Sequence, residues 1–172
     1  DETPHEWLWL IDTDMGFDPY TVEQLIAAAD PARRPVVGAL CFGLRLVHPD
    51  GMGGARVLPV PTLFQMARTP EGHVGFGTRW RYPADTVVQV AATGSGCLLI
   101  HRGALEKVRV EHGDRWFDQV RYEDGRLLAE DLSFCYRLGL AGIPVFVHTG
   151  VKTTHHKAVW IGADDYTPPA EV

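Results

Sequence analysis

Four groups of side chains in this 172-residue chain are of types that do chemistry: Asp12-x-Asp14, Gly94-Ser95-Gly96, Glu130-Asp131 and His155-His156. The first is the most pointed. The apolar run Trp7-Leu8-Trp9-Leu10-Ile11 leads straight into the two acids, and Gly16 and Asp18-Pro19 follow. An apolar run bounded by turn residues predicts a buried strand. Asp18-Pro19 predicts an N-cap and a first helical position. Asp12 and Asp14 then stand where a strand ends, the place where open α/β sheets bind ligands. Residues two apart in an extended segment point the same way. Side-by-side carboxylates repel unless a cation lies between them, and hard divalent cations take oxygen ligands. The chemistry this predicts is a metal site that carries a phosphate. The competing explanation is that the two acids only cap a turn.

The other three groups carry their own alternatives. Ser95 between glycines invites a nucleophile reading, but the nucleophile elbow needs Gly-x-Ser-x-Gly leading into a helix. Here Gly96 leads into the strand-like Cys97-Leu98-Leu99-Ile100. Glu130-Asp131 falls in the first turn of an expected helix, where acids are common because the helix dipole stabilises them. His155 and His156 are adjacent, so they point opposite ways in an extended segment.

The elements that must position these residues follow from periodicity. Residues 7–11 and 35–41 are expected strands around an amphipathic helix over 19–29 that faces inward with Val22, Leu25, Ile26 and Ala29. That spacing predicts a βαβ unit with a parallel pair. Arg45-Leu46-Val47 and Arg56-Val57-Leu58 flank Gly51, Gly53 and Gly54 and predict a hairpin. The segment 59–85, with four prolines and Phe64, Phe76, Trp80 and Tyr82, reads as irregular. It is either a core flap or an aromatic platform for an acceptor. Strands are expected at 86–92, 97–100 and 143–147, a short helix over 102–109, and a helix over 128–140. Leu132, Cys135, Tyr136 and Leu140 make the apolar face of that last helix, and Gly142 its C-cap.

Composition sets bounds. The hydrophobic fraction is 45% and the charged fraction 22%, which suits one globular domain. The formal charge of −6 argues against a nucleic-acid binder, so a bound phosphate would need a metal for much of its positive charge. Cys41, Cys97 and Cys135 lie far apart in apolar segments, which fits reduced core thiols and a cytoplasmic setting. No apolar run approaches the ~18 residues a membrane span needs.

The order of these motifs resembles the metal-dependent nucleotide-sugar glycosyltransferases of the GT-A fold, especially the inverting family 2. The resemblance rests on residues 7–14, on the Gly-rich turn before Cys97, on Ala129-Glu130-Asp131-Leu132-Ser133-Phe134-Cys135, and on the segment ending at His155. It implies an α/β domain, GT-A-like, with a mixed but mainly parallel sheet flanked by helices. Residues 1–162 would be its C-terminal part, the N-terminal half being absent, and 163–172 a polar Pro-containing tail. It implies that Asp14, Asp12 and His155 hold Mn²⁺ or Mg²⁺, with Asp14 the direct ligand and His156 the alternative to His155. Asp131 is the implied general base, with Glu130 as its alternative. Thr13, Gly94, Ser95 and Lys157 are implied donor or acceptor contacts; Trp80, on the aromatic segment with Arg79 and Arg81 nearby, is an expected acceptor contact. The implied reaction moves a sugar from a nucleotide diphosphate donor to an acceptor hydroxyl, with inversion. A nucleotidyltransferase of related architecture and a non-catalytic binding module are the alternatives.

Overall fold

The computed structural model describes residues 4–47, 56–68, 72–122, 125–157, 160–163 and 166. In chain order the elements are β1 (Trp7–Ile11), β2 (Met15–Gly16), α1 (Thr21–Ala28), β3 (Val36–Leu40), β4 (Phe42–Val47), β5 (Arg56–Pro61), β6 (Leu63–Arg68), β7 (Val74–Thr78), β8 (Val87–Val90), β9 (Ala92–Thr93), β10 (Cys97–His101), α2 (Arg102–His112), α3 (Glu130–Leu140), β11 (Val145–Lys152), β12 (Thr154–His156) and β13 (Trp160–Ile161).

A five-stranded sheet, β1-β10-β3-β11-β8, forms the centre. Strand β10 runs antiparallel to both β1 and β3, and β11 runs parallel to β3 but antiparallel to β8. The sheet therefore holds one parallel pairing, β3 with β11. Around it lie three small antiparallel sheets: β13-β12-β2, β4-β5 and β7-β6-β9.

This overturns the expected fold class and the resemblance that implied it. The architecture is β-rich, with thirteen strands and three helices among the described residues, and it is not a mainly parallel, helix-flanked GT-A-like sheet. The physical reason is the position of β10. Residues 7–11 and 36–40 were expected to pair with each other. Instead Cys97-Leu98-Leu99-Ile100, as apolar as either, slots between them and hydrogen-bonds on both sides. The register is Leu8 with Ile100, Leu10 with Leu98, and Leu98 with Gly38. Gly38 keeps this centre thin, because a Cβ there would stand 3.3 Å from Leu98 Cδ1.

Alternation of side chains along the central strands splits the core in two. Val37, Ala39, Cys97 and Leu99 pack with Leu25 of α1, whereas Val36, Leu40, Leu98 and Ile100 pack with Val108 of α2 and with Phe134 and Leu138 of α3. Strand β1 closes one side of the sheet and stays only partly covered; Leu8 is exposed.

Local expectations meet mixed fates. The β4-β5 hairpin forms, pairing Val47 with Arg56, though its expected Gly51, Gly53 and Gly54 tip lies outside the described residues. The segment read as irregular contains a second hairpin, Phe64 with Thr78 through Arg68 with Val74. Helix α1 is shorter than expected. Asp18 does not cap it; its carboxylate accepts from the backbone N–H of Tyr20, the residue just before the helix, at 2.8 Å. Helix α3 ends as expected, with Gly142 at φ +67 and the Ile143 N–H bonded to the Leu138 carbonyl. Of the expected tail, Ala163 and Tyr166 pack on the core; the remaining residues after 163 lie outside those described. Among the described residues, no helix is long and apolar enough to cross a membrane.

Candidate functional site

The chain leaves β1 at Ile11 and turns at once. The Asp12 N–H donates to the Gly96 carbonyl at 3.0 Å, and the Met15 N–H donates to the Asp12 carbonyl at 3.2 Å. The expected acidic segment thus lies directly against the expected Gly-rich turn. Gly96 makes that approach close. A Cβ at this position would stand 3.2 Å from Asp12 Oδ2 and 3.3 Å from Met15 Sδ.

The same turn reaches α3. Strand β9 pairs with β6 and delivers Gly94-Ser95 over the first turn of the helix. There the Ser95 hydroxyl donates a short hydrogen bond to Asp131 Oδ1. Asp131 Oδ2 lies 3.6 Å from where a Gly94 Cβ would be. Burial raises the Asp131 carboxyl above its ordinary value, and the charges of Glu130 and Asp12 push the same way. Hydrogen bonds from the Ser95 hydroxyl and backbone oppose the rise. Glu130, the alternative base, is exposed at the start of α3.

On the other side of Asp12, Asp14 is met by the β12 strand. Strand β2 pairs His155 with Met15, and the His156 N–H donates to the Asp14 carbonyl at 2.8 Å. His155 Nε2 lies 3.1 Å from Asp14 Oδ2, and its Nδ1 lies 2.8 Å from the Phe42 carbonyl. Lys157 Nζ donates to the same Oδ2 at 3.0 Å. The Lys157 hydrogen bond, together with the charges of His155 and Lys157, holds the Asp14 carboxyl below its ordinary value. His155 thus takes the expected place beside Asp14, and His156 faces away.

The donor chemistry of this pair bears on the expected metal. A carbonyl accepts only, so His155 Nδ1 carries the proton that faces Phe42. In a neutral ring the lone pair of Nε2 then points at Asp14 Oδ2, and two acceptors stand 3.1 Å apart. Only a proton or a cation between them makes that arrangement favourable. A carboxylate and an imidazole oriented by a backbone carbonyl suit Mn²⁺, and Mg²⁺ less well. Among the described residues no three His, Cys, Asp or Glu side chains form a metal-binding group. Of the three expected ligands, the structure brings Asp14 and His155 together. Asp12, expected to join them, leans instead on the Gly96 turn and acts electrostatically on Asp131.

Of the expected contact residues, Ser95, Gly94, Thr13 and Lys157 lie on these converging turns. Trp80 does not: it sits between β7 and β8, where its carbonyl accepts from the Tyr166 hydroxyl. Three participants escaped the sequence: the Phe42 carbonyl, Thr62 beside Gly94, and Cys41, whose burial pushes its thiol to about 12 with Asp12 and Asp131 among the raising charges. No local pattern marks them, because Cys41 and Phe42 arrive at the start of β4 and Thr62 between β5 and β6, all remote in sequence from the residues they meet.

No family model and no curated protein matches the chain. Among solved structures, it is similar to A197 from STIV, with a TM-score of 0.49 and 13% identity over 94% of this chain. The chain spans 64% of that protein's length.

Proposed function

We propose that this chain is a metal-assisted transferase that moves a sugar from a nucleotide diphosphate donor to an acceptor hydroxyl, with Asp131 as general base. The observation that carries the reading is the Asp131 carboxylate: partly buried, raised in pKa, and held by Ser95 beside the turn that bears Asp12 and Asp14. A base poised above the ordinary carboxylate range takes a hydroxyl proton more readily than an ordinary Asp. Ser95 fixes the orientation of the Asp131 carboxylate.

Asp14 and His155 would hold Mn²⁺ or Mg²⁺. When bound, the ion supplies charge that stabilises the departing diphosphate. Lys157, already at the Asp14 oxygen, is placed to meet a phosphate once that carboxylate has another partner. Thr13 offers a hydroxyl on the same turn.

The test is release of nucleoside diphosphate from UDP-, GDP- and dTDP-sugars in the presence of Mn²⁺. Activity that requires Asp131 and Asp14 supports the reading. Release of pyrophosphate would assign nucleotidyl transfer instead, and full activity in Asp131→Asn would remove the proposed base.

A further inference from the structure

Among the described residues, β1 pairs with β10 alone, so its other side is an open edge of the central sheet. Two bonds that bracket the strand set its phase: the Arg102 N–H donates to the Glu6 carbonyl, and the Asp12 N–H to the Gly96 carbonyl. Glu6, Leu8, Leu10 and Asp12 therefore turn their backbone groups toward β10, and Trp7, Trp9 and Ile11 turn theirs outward. The outward N–H groups and carbonyls form a vacant ladder.

The strand is composed like an interior one. Trp7-Leu8-Trp9-Leu10-Ile11 is apolar throughout, the pattern of a strand covered on both faces. None of its residues is buried, however, and Leu8 is 41% exposed, whereas β3 is buried throughout. Open edges are normally blunted by Lys, Pro or a bulge. Strand β1 has none of these, and its register to β10 is unbroken from Trp7 to Ile11. Such an edge is suited to strand addition, in which backbone bonds give affinity and neighbouring pockets give specificity. A hollow of about 340 Å³ lies beside it, walled by Glu6, Leu8, Arg102, Leu105, Arg109 and Trp116. The Trp116 indole N–H is buried there without an acceptor among the described residues. Arg109 is engaged by Asp114 at 2.6 Å, and Arg102 Nε by the His5 carbonyl at 3.0 Å.

Charge selects the occupant. The vacant ladder is bounded by Glu6 before it and Asp12 after it, both exposed and both on the face of Leu8 and Leu10. In an antiparallel pair of two copies centred on Trp9, each Glu6 would stand opposite an Asp12, at positions where cross-strand side chains come closest. Sliding the pair by two residues sets Glu6 against Asp14 in one direction and against Leu10 in the other. A strand of another polypeptide with Lys or Arg at those two positions meets both acids favourably.

We propose that the β1 edge takes up an extended segment of a partner protein as a further strand of the central sheet. That segment is apolar opposite Leu8 and Leu10 and basic opposite Glu6 and Asp12.

The test uses the full chain and the blocked peptide Lys-Thr-Leu-Thr-Leu-Thr-Lys, which reads the same in both directions and so serves parallel and antiparallel addition alike. Amide exchange is followed by NMR during titration. Without peptide, the Leu8 and Leu10 amides should exchange slowly and those of Trp7, Trp9 and Ile11 fast; saturating peptide should slow these three roughly tenfold or more. The same peptide with Glu at both ends should bind roughly tenfold more weakly. On Glu6→Lys, at an exposed position, the two peptides should draw level. Trp7→Pro removes one outward N–H and leaves the β10 bonds in place, so it should bind the Lys-ended peptide more weakly than Trp7→Val. Equal binding of the Lys- and Glu-ended peptides by wild type overturns the proposal, as do Trp7, Trp9 and Ile11 amides that stay fast at saturation. Amides already slow before any peptide is added, in a chain that sediments as a dimer, assign the edge to a second copy and overturn it too.

Discussion

His155 Nε2 faces Asp14 Oδ2 at 3.1 Å while its other nitrogen is tied to the Phe42 carbonyl. Two strands remote in sequence thus present an imidazole and a carboxylate to one point. Substituting either should reduce Mn²⁺ affinity in the presence of a nucleoside diphosphate. A loss of about 10- to 100-fold is expected for Asp14→Ala, read by Mn²⁺ electron paramagnetic resonance. Unchanged affinity in both variants would dismiss this pair as the metal ligands.

Asp131→Asn preserves an acceptor for the Ser95 hydroxyl and removes the base. Turnover should fall by roughly 10²- to 10⁴-fold. Wild-type activity should rise with pH through a value above the ordinary carboxylate range, since burial raises this group. Stability carries the opposite sign. A group raised in the folded state favours folding while protonated, and that contribution fades as pH rises through the folded value. Asp131→Asn should therefore gain stability over wild type at neutral pH, and the gain should vanish near about pH 3. Urea denaturation at the two pH values measures it.

Ser95→Ala tests the clamp. The Ser95 hydroxyl hydrogen bond pulls the Asp131 carboxyl down against burial, so its loss should move the acid limb of the pH–rate profile upward. Ser95→Thr should restore much of the original position. A profile unmoved by Ser95→Ala would show that the serine does not tune Asp131.

The β6-β7 hairpin has its own tight point. A Cβ at Gly77 would stand 2.7 Å from Ala67 Cβ, too close for atoms fixed to neighbouring strands. Gly77→Ala should cost about 1–3 kcal/mol. Chemical denaturation measures it.

All three cysteines are free and buried. Burial pushes the Cys41 and Cys135 thiols to about 12 and raises Cys97. A thiol-specific disulfide reagent at about pH 8 should label none of them in the folded chain and all three in urea.

Much of this was legible locally. The apolar runs at residues 7–11, 36–40 and 97–100 became strands, because burial on a sheet is what such runs are suited to. Helix α3 and its Gly142 stop followed from spacing and turn chemistry. What could not be read was which strand lies beside which. Nothing within Trp7–Ile11 records that Cys97–His101 will displace Val36–Leu40 from its side, and the mainly parallel sheet failed for that reason. The hairpin at Leu63–Thr78 was hidden by flanking prolines. Tyr136 and Leu140 misled because a helical apolar stripe looks the same whether it meets a core or an open groove. At the site, Asp12, Asp14, Ser95, Asp131 and His155 do converge. Trp80 stands apart because an aromatic segment with Arg79 and Arg81 nearby looks the same wherever the fold places it, and Phe42 carries no signal because it contributes a carbonyl, which every residue has.

Strand β11 follows β3 through His148 with Ala39 and then resumes at Lys152 with Leu40. The intervening stretch is pinned: the Thr149 hydroxyl bonds to the Pro83 and Thr86 carbonyls, and a Cβ at Gly150 would stand 3.1 Å from Asp85 Cα. Because side chains alternate along extended chain, removing a single residue here would swap His155 for His156 at the acid. Selection on this stretch should accordingly tolerate changes of spelling far better than changes of length.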